Sequence, residues 1–515
     1  MCKLLRKSGD QFFNDERKKK GAILSYIQVV LSAIVSVIYV PILLRYLGKS
    51  EYGLYQIVGS FFSYISVFES CMSTGVLRNY CNALGSRDKE AVDVTLSMAK
   101  VIYRVMAVLI AIVGVIVLFA FRCFYASSFS ASELKESSAI LLLLFANMMV
   151  TLLGSVYLTI LTGHEKFTFL KVLAIIIQVT QPIFVILCVR KNPYAITVST
   201  VIVVLNVLTV LIRYLYVTHK LKIRIIKMKK DRKVIGEIVG LSATILLGCI
   251  ADQIFWKTDQ VILGKLFSTA VVAVYSVGAQ IYMMYMQFGT QIASIFYPKV
   301  SILYQEENGN QKVSDLFVRI GRVTFMVIML ILSGFIVFGK EFLLIWVGEG
   351  YTEAYYVAVV VMIPFSIDLA QNLALAILQV KKQYGFRAKI YLLSALINVV
   401  ATVILASYFG IVGAAISTGM SMSITSGLIM NWYYLKKANL DIVKFWKESF
   451  EIIAASVLMT ILTLWIKRCI AWNATELLDF GLGILLFVLI YAGVMYRFIM
   501  TSEEKKQILA FLKQK

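Results

Sequence analysis

The sequence predicts an all-α protein that crosses a membrane about fourteen times. Three observations carry that expectation. Of 515 residues, 60% are hydrophobic and 16% charged, and mean hydropathy is +0.81, whereas soluble domains run at about 45–50% apolar and about 25% charged. Apolar runs of roughly 20 residues, enough to span a hydrocarbon core of about 30 Å, recur along the whole chain. The runs lack the period-two alternation of a barrel, so their backbone must satisfy its own hydrogen bonds as helix.

Taken in order, the spans are expected at roughly 21–44, 53–76, 98–121, 138–162, 168–189, 193–216, 236–256, 270–297, 316–339, 354–380, 386–408, 411–434, 449–466 and 478–500. The first is not a signal peptide: its apolar stretch is too long, an obvious small-residue cleavage site is missing, and further spans follow at once. Charge supplies orientation. With the N-terminus inside, about forty of the 51 Lys and Arg residues fall on the inner side, the bias that sets topology in membrane proteins. Both termini are therefore expected in the cytoplasm of a multi-pass protein of the cell membrane, and the net charge of +22 is mainly a topology signal. The domain plan that follows is a cytoplasmic tail (1–20), a six-span lobe (21–218), a basic linker (219–235), a second six-span lobe (236–440), and two additional spans with a cytoplasmic tail (441–515). The linker holds the densest basic run, "HKLKIRIIKMKKDRK" at 219–233, which is also able to touch anionic lipid heads.

An internal repeat organises the lobes. Shifted by about 220 residues, "ILLRYLGKSEYGLYQIVGSFFSYISVF" (42–68) lies over "ILGKLFSTAVVAVYSVGAQIYMMYMQF" (262–288), with Arg45 over Lys265, Tyr55 over Tyr275 and Phe68 over Phe288. Six spans separate the copies, so both have the same orientation in the membrane, as in transporters built from parallel repeats. The expected architecture is two parallel-repeat six-helix lobes around a central cavity, with two extra C-terminal helices.

Polar side chains fall in helical stripes. Ser25, Gln28, Ser32 and Ser36 mark the first span; Gln56, Ser60, Ser63, Ser70 and Thr74 the second; Ser276, Gln280, Gln287, Gln291 and Ser294 the eighth. Residues three, four and seven apart share a helix face, and a polar face in a membrane needs a partner helix or water. Interhelical hydrogen bonds, about 0.6 kcal/mol each, explain the serines as well as a cavity does; the glutamine line favours a wet cavity between lobes. The stretch "DQIFWKTDQVILGK" (252–265) puts Asp252 and Asp259 nearly on one face, with Lys257 directed elsewhere. A charge at a helix centre costs about 2.5–3.5 kcal/mol on insertion scales, so Asp252 reads as cavity-lining, whereas Lys257, Asp259 and Lys265 fit a solvated helix end equally well. The other intramembrane charges are Glu69, Arg104, Arg319, Arg322 and Asp368, with Arg78 and Lys100 at span ends. Arginines there can snorkel. Turned inward they form a basic vestibule suited to phosphate, which guanidinium meets with paired hydrogen bonds.

Seven scattered cysteines give no disulfide framework, and two histidines are too few and too far apart for a metal site. Nothing in the chain reads as a nucleophile with its base, a phosphate loop or a dinucleotide fingerprint. The protein is expected to be no enzyme and to use no cofactor.

Six segments carry a resemblance: "VPILLRYLGKSEYGLYQIVGSF", "TGVLRNYCNALGSRDKE", "TDQVILGKLFSTAVVAVYSVGAQ", "YPKVSILYQ", "LIWVGEGY" and "YFGIVGAAIST". In that order the chain resembles the multidrug/oligosaccharidyl-lipid/polysaccharide exporter superfamily, in its polysaccharide-transporter branch of O-antigen and capsule flippases. Arg45, Gly48, Gly53, Tyr55, Arg78, Asp259, Tyr275, Pro298, Trp346, Gly348, Tyr351 and Gly413 match its recurrent positions, most as turn glycines, packing tyrosines and an interfacial tryptophan. The resemblance implies a glycan joined by pyrophosphate to a polyprenol, carried from the cytoplasmic to the outer leaflet by alternating access, for O-antigen, capsule or exopolysaccharide biosynthesis. On that reading Arg78, Lys100, Arg104, Arg319 and Arg322 receive the pyrophosphate. Gln28, Gln56, Glu69, Asp252, Lys257, Asp259, Gln280, Gln287, Gln291 and Asp368 line the cavity toward the sugars. The implied partners are the lipid-linked oligosaccharide, membrane lipids, a glycan polymerase and other export components, with no nucleic acid. Three alternatives stay open: a cation-coupled multidrug exporter of the same superfamily, against which the inner-end arginines speak; a membrane glycan polymerase or ligase, against which the short outer loops speak; and a sugar porter of the major facilitator type, whose basic loop motif "RNYCNALGSRDKE" does not match.

Overall fold

The computed structural model describes residues 16–226, 228, 231–470, 477–502 and 504–506, with side chains described from 28 onward save at 29, 30, 33, 244, 247, 292–295, 297 and 477. Most of the expected N-terminal tail, part of the basic linker and Ser25 and Ser294 as side chains lie outside that description. Every regular element described is helical. Two compact units divide the chain at 1–273 and 274–515.

The first unit holds α1 (Glu16–Gly85), α2 (Lys89–Tyr125), α3 (Ala131–Gly163), α4 (Phe167–Val189), α5 (Ala195–Leu215) and α6 (Arg232–Leu266). At 1.5 Å per residue, the 70 residues of α1 would run roughly 105 Å, far beyond a bilayer. The helix is broken at Gly48, whose φ of 74° and ψ of 175° only glycine adopts without strain. The Tyr39 side chain comes close to Tyr52 and Tyr55, which a straight helix would hold some 20 Å or more away; the chain reverses at Gly48, and the first two expected spans are the arms of this hairpin. Entry into α2 and α3 is fixed by capping. Asp88 accepts from the Glu90 amide, and Ser130 with Glu133 forms a reciprocal capping box. α6 packs on α1, and α3 on α2 and α5. Leu54, Ile57, Val58, Ile140, Leu141 and Leu152 lie fully buried at these contacts. Tyr125 joins Phe61, Phe121 and Phe129 in an aromatic cluster and donates its hydroxyl to the Val261 carbonyl at 2.9 Å.

α7 (Thr269–Ile295) leads into the second unit, followed by α8 (Tyr297–Leu303), α9 (Gly309–Val347), α10 (Thr352–Ala370), α11 (Leu373–Val380), α12 (Tyr384–Met422), α13 (Met430–Lys436), α14 (Ile442–Cys469) and α15 (Leu477–Val494). π-Helical turns at Ser423–Ile429 and Met495–Ile499 extend α12 and α15. α9 packs against α14, α10 and α15, and α10 against α12. α12 repeats the device of α1: it reverses at Gly410 (φ 59°, ψ −141°). Ser417 then donates to the Asn398 side chain at 2.7 Å, and a Cβ on Gly413 would fall 2.0 Å from the Leu405 carbonyl oxygen. The expected tenth span is divided between α10 and α11 at Gln371, whose side-chain Nε2 donates to Asn431 Oδ1 at 2.8 Å.

Among the described residues, ten helices are long and apolar enough to cross a membrane, or eleven with α6, which bends by 41° between Arg232–Ala243 and Gly248–Leu266. The fourteen expected spans exceed that number because α1, which carries two of them, is not among the ten, and because α12, counted once, joins two more into one helical run at Gly410. The repeat is visible in the local structure: position 48, where α1 reverses, maps about 220 residues on to the junction of α6 and α7 at Phe267 and Ser268.

Candidate functional site

α1, α3, α4 and α5 enclose a cavity of about 620 Å³ within the first unit, in the range of small-molecule sites, about 300–1,000 Å³. Its lining is unusual for a helix bundle in oil: Gln28, Gln178, Gln181, Asn147, Asn206 and Thr151 face it, with one carboxylate, Glu69, and one guanidinium, Arg213. Helical spacing delivers them. Ser66 and Glu69 are three apart on α1; Asn206, Thr209 and Arg213 follow at three and four on α5.

Hydrogen bonds hold the walls. Asn206 Nδ2 donates to Asn147 Oδ1 at 2.7 Å and to Thr151 Oγ1 at 2.8 Å, tying α5 to α3. Lys171 Nζ donates to Gln28 Oε1 at 3.0 Å, tying α4 to α1. Glu69 Oε1 accepts from Ser73 and from Ser155, each at 2.8 Å. Neither Glu69 nor Arg213 has an ion-pair partner within 4 Å among the described residues, and Arg213 Nε is buried without a hydrogen-bond acceptor. Amides and hydroxyls that both donate and accept, with one group of each charge, suit a polyhydroxylated ligand bearing an anion.

Of the residues singled out from sequence, Gln28 and Glu69 line this cavity. Gln56 lies half-buried further along α1. On α6, Asp252 is exposed, Lys257 half-buried and Asp259 buried, and neighbouring Gln260 accepts a hydrogen bond from Ser60. Gln280, Gln287 and Gln291 form a stripe on α7 in the second unit, the first half-buried and the other two exposed. Asp368 accepts from Ser426 at 2.8 Å and Tyr391 at 3.1 Å and pairs with Arg387 at 3.7 Å, inside the second unit.

The five basic residues belong to different places. Arg78 is exposed on α1. Lys100 and Arg104 border a smaller hollow of about 260 Å³ with Leu153, Val156 and Tyr157. At about 100° per residue, that face of α3 is opposite the one carrying Asn147, Met148 and Thr151, so Lys100 and Arg104 lie outside the cavity wall. Arg319 and Arg322 lie in the second unit, in a pocket of about 750 Å³. Arg322 is only 4% exposed; it pairs with Glu504 at 3.2 Å and donates to the carbonyls of Glu448 and Ile499 at 2.5 and 3.2 Å, fastening the C-terminal segment.

Sequence reasoning missed Arg213, Lys171, Asn147, Asn206 and Arg387. Lys171, Arg213 and Arg387 sit close to expected span ends, where a cation reads as a topology signal. Asn147 and Asn206 each stand alone in an apolar run, and only the pairing of α3 with α5 gives them a shared role.

A family model described as polysaccharide biosynthesis protein matches residues 42–356. The probable low-salt glycan biosynthesis flippase Agl15 of Haloferax volcanii is 24% identical over 255 residues, 48% of this chain and 52% of that protein, so the match spans about half the length of this curated relative. The lipid II flippase MurJ, in an inward closed conformation, superposes with a TM-score of 0.71 at 15% identity over 93% of this chain and 98% of its own. An inward-facing multidrug resistance MATE family transporter of the MOP superfamily gives 0.64 at 15% identity over 81% and 95%. At such identities the structural likeness is one of fold.

Proposed function

Since the chain belongs to the polysaccharide biosynthesis protein family and shares its fold with a lipid II flippase and a multidrug transporter, we propose that it is a flippase for a polyprenyl-pyrophosphate-linked oligosaccharide. The direction is from the cytoplasmic to the outer leaflet of the cell membrane, with both termini cytoplasmic, in the biosynthesis of a surface polysaccharide such as O-antigen, capsule or exopolysaccharide. The observation that carries this reading is the amide-lined cavity of the first unit. Sugars and pyrophosphate are insoluble in hydrocarbon, and a chamber with Asn147, Asn206, Gln28 and Gln178 on its walls replaces the water that sugar hydroxyls give up. Arg213 meets the anionic end, and Glu69 accepts from sugar hydroxyls. Arg78, Lys100 and Arg104 raise the local concentration of the anionic head at the cytoplasmic face, while the polyprenol stays in lipid. A pyrophosphate diester carries two negative charges, and 100 mV, inside negative, favours outward movement by about 2.3 kcal/mol for each. The relative from Haloferax volcanii, named a probable glycan biosynthesis flippase, supports the substrate class.

The test is surface glycan in cells whose export depends on this chain. Asn206→Leu, Glu69→Gln and Arg213→Met are each expected to lower it at least tenfold at unchanged protein level, with lipid-linked precursor accumulating on the inner face. Undiminished glycan from all three variants overturns the reading.

A further inference from the structure

The pocket of the second unit has a charge arrangement that transport in the first unit does not use. α9 turns Lys312, Asp315, Arg319 and Arg322 to it at spacings of three, four and three, and α14 adds Lys444 and Glu448 four apart. Most of these charges are neutralised locally. Lys312 pairs with Glu306 at 2.8 Å, Lys444 with Asp315 at 3.2 Å, and Arg322 with Glu504 at 3.2 Å. Arg319 and Lys299 remain, both lining the pocket and both without an ion-pair partner among the described residues.

Glu504 is the telling group. Its carboxylate is buried against Arg322, and its second oxygen accepts from the Thr501 amide at 2.7 Å. A buried carboxylate is tolerated only when paired, and here the pairing places an anion on the floor of a pocket whose rim carries two unmatched cations. An internal carboxylate in that position stands where the oxygens of a phosphate would bind. The surroundings say where such a phosphate comes from. Ile302 and Val443, each beside a pocket residue in sequence, and Phe498, three residues before Thr501, are exposed apolar side chains, as expected where helix ends meet the boundary between hydrocarbon and headgroups. A soluble phosphate has no use for that apolar rim; a lipid headgroup with its acyl chains does.

We propose that this pocket binds the phosphate of an anionic phospholipid through Arg319, Lys299 and Arg322, with Glu504 as the built-in carboxylate that the lipid displaces. Lipid occupancy then frees Glu504 from Arg322 and couples the C-terminal end of the chain to the composition of the leaflet it faces. The inference stands on the second unit alone and does not depend on the glycan reading.

The experiment uses the full chain in nanodiscs of phosphatidylcholine, titrated with phosphatidylglycerol and read by native mass spectrometry of retained lipid, with inorganic phosphate as a parallel ligand. Two surface cations near a bilayer are worth about thirtyfold in affinity at about 1 kcal/mol each, so the Lys299→Ala/Arg319→Ala double variant is expected to bind phosphatidylglycerol about thirtyfold more weakly than the parent. Both positions lack structural ion pairs, so folding should persist, and an unchanged melting temperature verifies it. Glu504→Gln is expected to tighten phosphatidylglycerol binding by removing the competitor. Equal phosphatidylglycerol affinity in parent and double variant overturns the proposal. So does binding of inorganic phosphate without any preference for phosphatidylglycerol over phosphatidylcholine, which would assign the pocket to a soluble anion.

Discussion

Gly53 lies where α1 crosses the start of α7, and its replacement by alanine can be worked through from distances. A Cβ built there falls 1.7 Å from the Thr269 carbonyl oxygen, 2.5 Å from its carbon and 3.2 Å from the Ala273 nitrogen. A carbon and a carbonyl oxygen approach no closer than about 3.3 Å in ordinary contacts, so the two segments must part by roughly 1.6 Å. All three obstructing atoms are backbone and cannot rotate away. The neighbours Tyr52, Leu54, Ile57 and Val58 are essentially fully buried, which closes the lateral escape. Overpacking costs up to about 3 kcal/mol, while alanine regains about 1 kcal/mol of helix propensity over glycine. The net loss is about 2 kcal/mol, near thirtyfold in the folding equilibrium. Gly59, six residues on in the same helix, meets nothing within 4 Å, so Gly59→Ala is the matched control and should be neutral or mildly stabilising. Unfolding of the two variants in mixed micelles, titrated with a denaturing detergent, measures the difference. Equal stability, or a Gly53→Ala protein above its control, refutes the packing argument.

Two further outcomes follow from charged groups. Glu51, in the turn after Gly48, accepts from the Ala195 amide at 2.8 Å, and burial, followed by the charge of nearby Glu136, raises its pKa above the ordinary 4.5. The folded state therefore holds the extra proton, so stability is fullest below that ordinary value and falls as pH rises through the raised one; melting temperature measured in detergent from pH 4 to 8 should decline, and Glu51→Gln should flatten that decline. In the second unit, Arg387→Met strips the pair from half-buried Asp368, leaving two hydroxyl donors, and breaking this partly desolvated pair costs less than the about 3–5 kcal/mol of a fully buried one. The Asp368→Asn/Arg387→Met double variant should recover most of it in a thermal unfolding assay, and a double variant no better than the single one would deny the pairing.

The fold class was legible because it depends on local quantities: run length, hydropathy and the absence of alternation. The hairpins at Gly48 and Gly410 were legible only as turns between spans, since a single glycine at positive φ can reverse the chain without a loop, and composition carries no trace of how sharply it does so. The candidate site was legible in part. Gln28 and Glu69 announced themselves as polar groups at mid-span, but Arg213 did not, because the position of a cation near a span end does not say whether it snorkels outward or reaches inward. Arg322 shows the harder limit. Its partner Glu504 lies 182 residues away in sequence, so no local pattern distinguishes a guanidinium that waits for substrate from one that fastens the C-terminal segment.

The buried charges bear on the proposed transport site. In the second unit buried and half-buried charges are matched carboxylate to cation, Arg322 with Glu504, Lys467 with Glu341 at 2.5 Å and Arg387 with Asp368, although Glu341 Oε2 and Arg387 Nε have no hydrogen-bond partner. Such pairs offset the several kcal/mol that each ion loses on leaving water, and they rigidify the packing of α9, α12 and α14. In the cavity of the first unit the arrangement differs. Glu69 is held by two serine hydroxyls, Lys171 by an amide, and Arg213 keeps an unsatisfied nitrogen. Charges left in that condition inside a membrane-spanning bundle are sustained by water or by a polar ligand. A protein selected for stability alone would have paired them, as it did in its other unit. Glu69 and Arg213 on the lining of a chamber of about 620 Å³ form the arrangement expected, on the proposed reading, of groups kept available for a cargo that brings its own hydroxyls and its own negative charge.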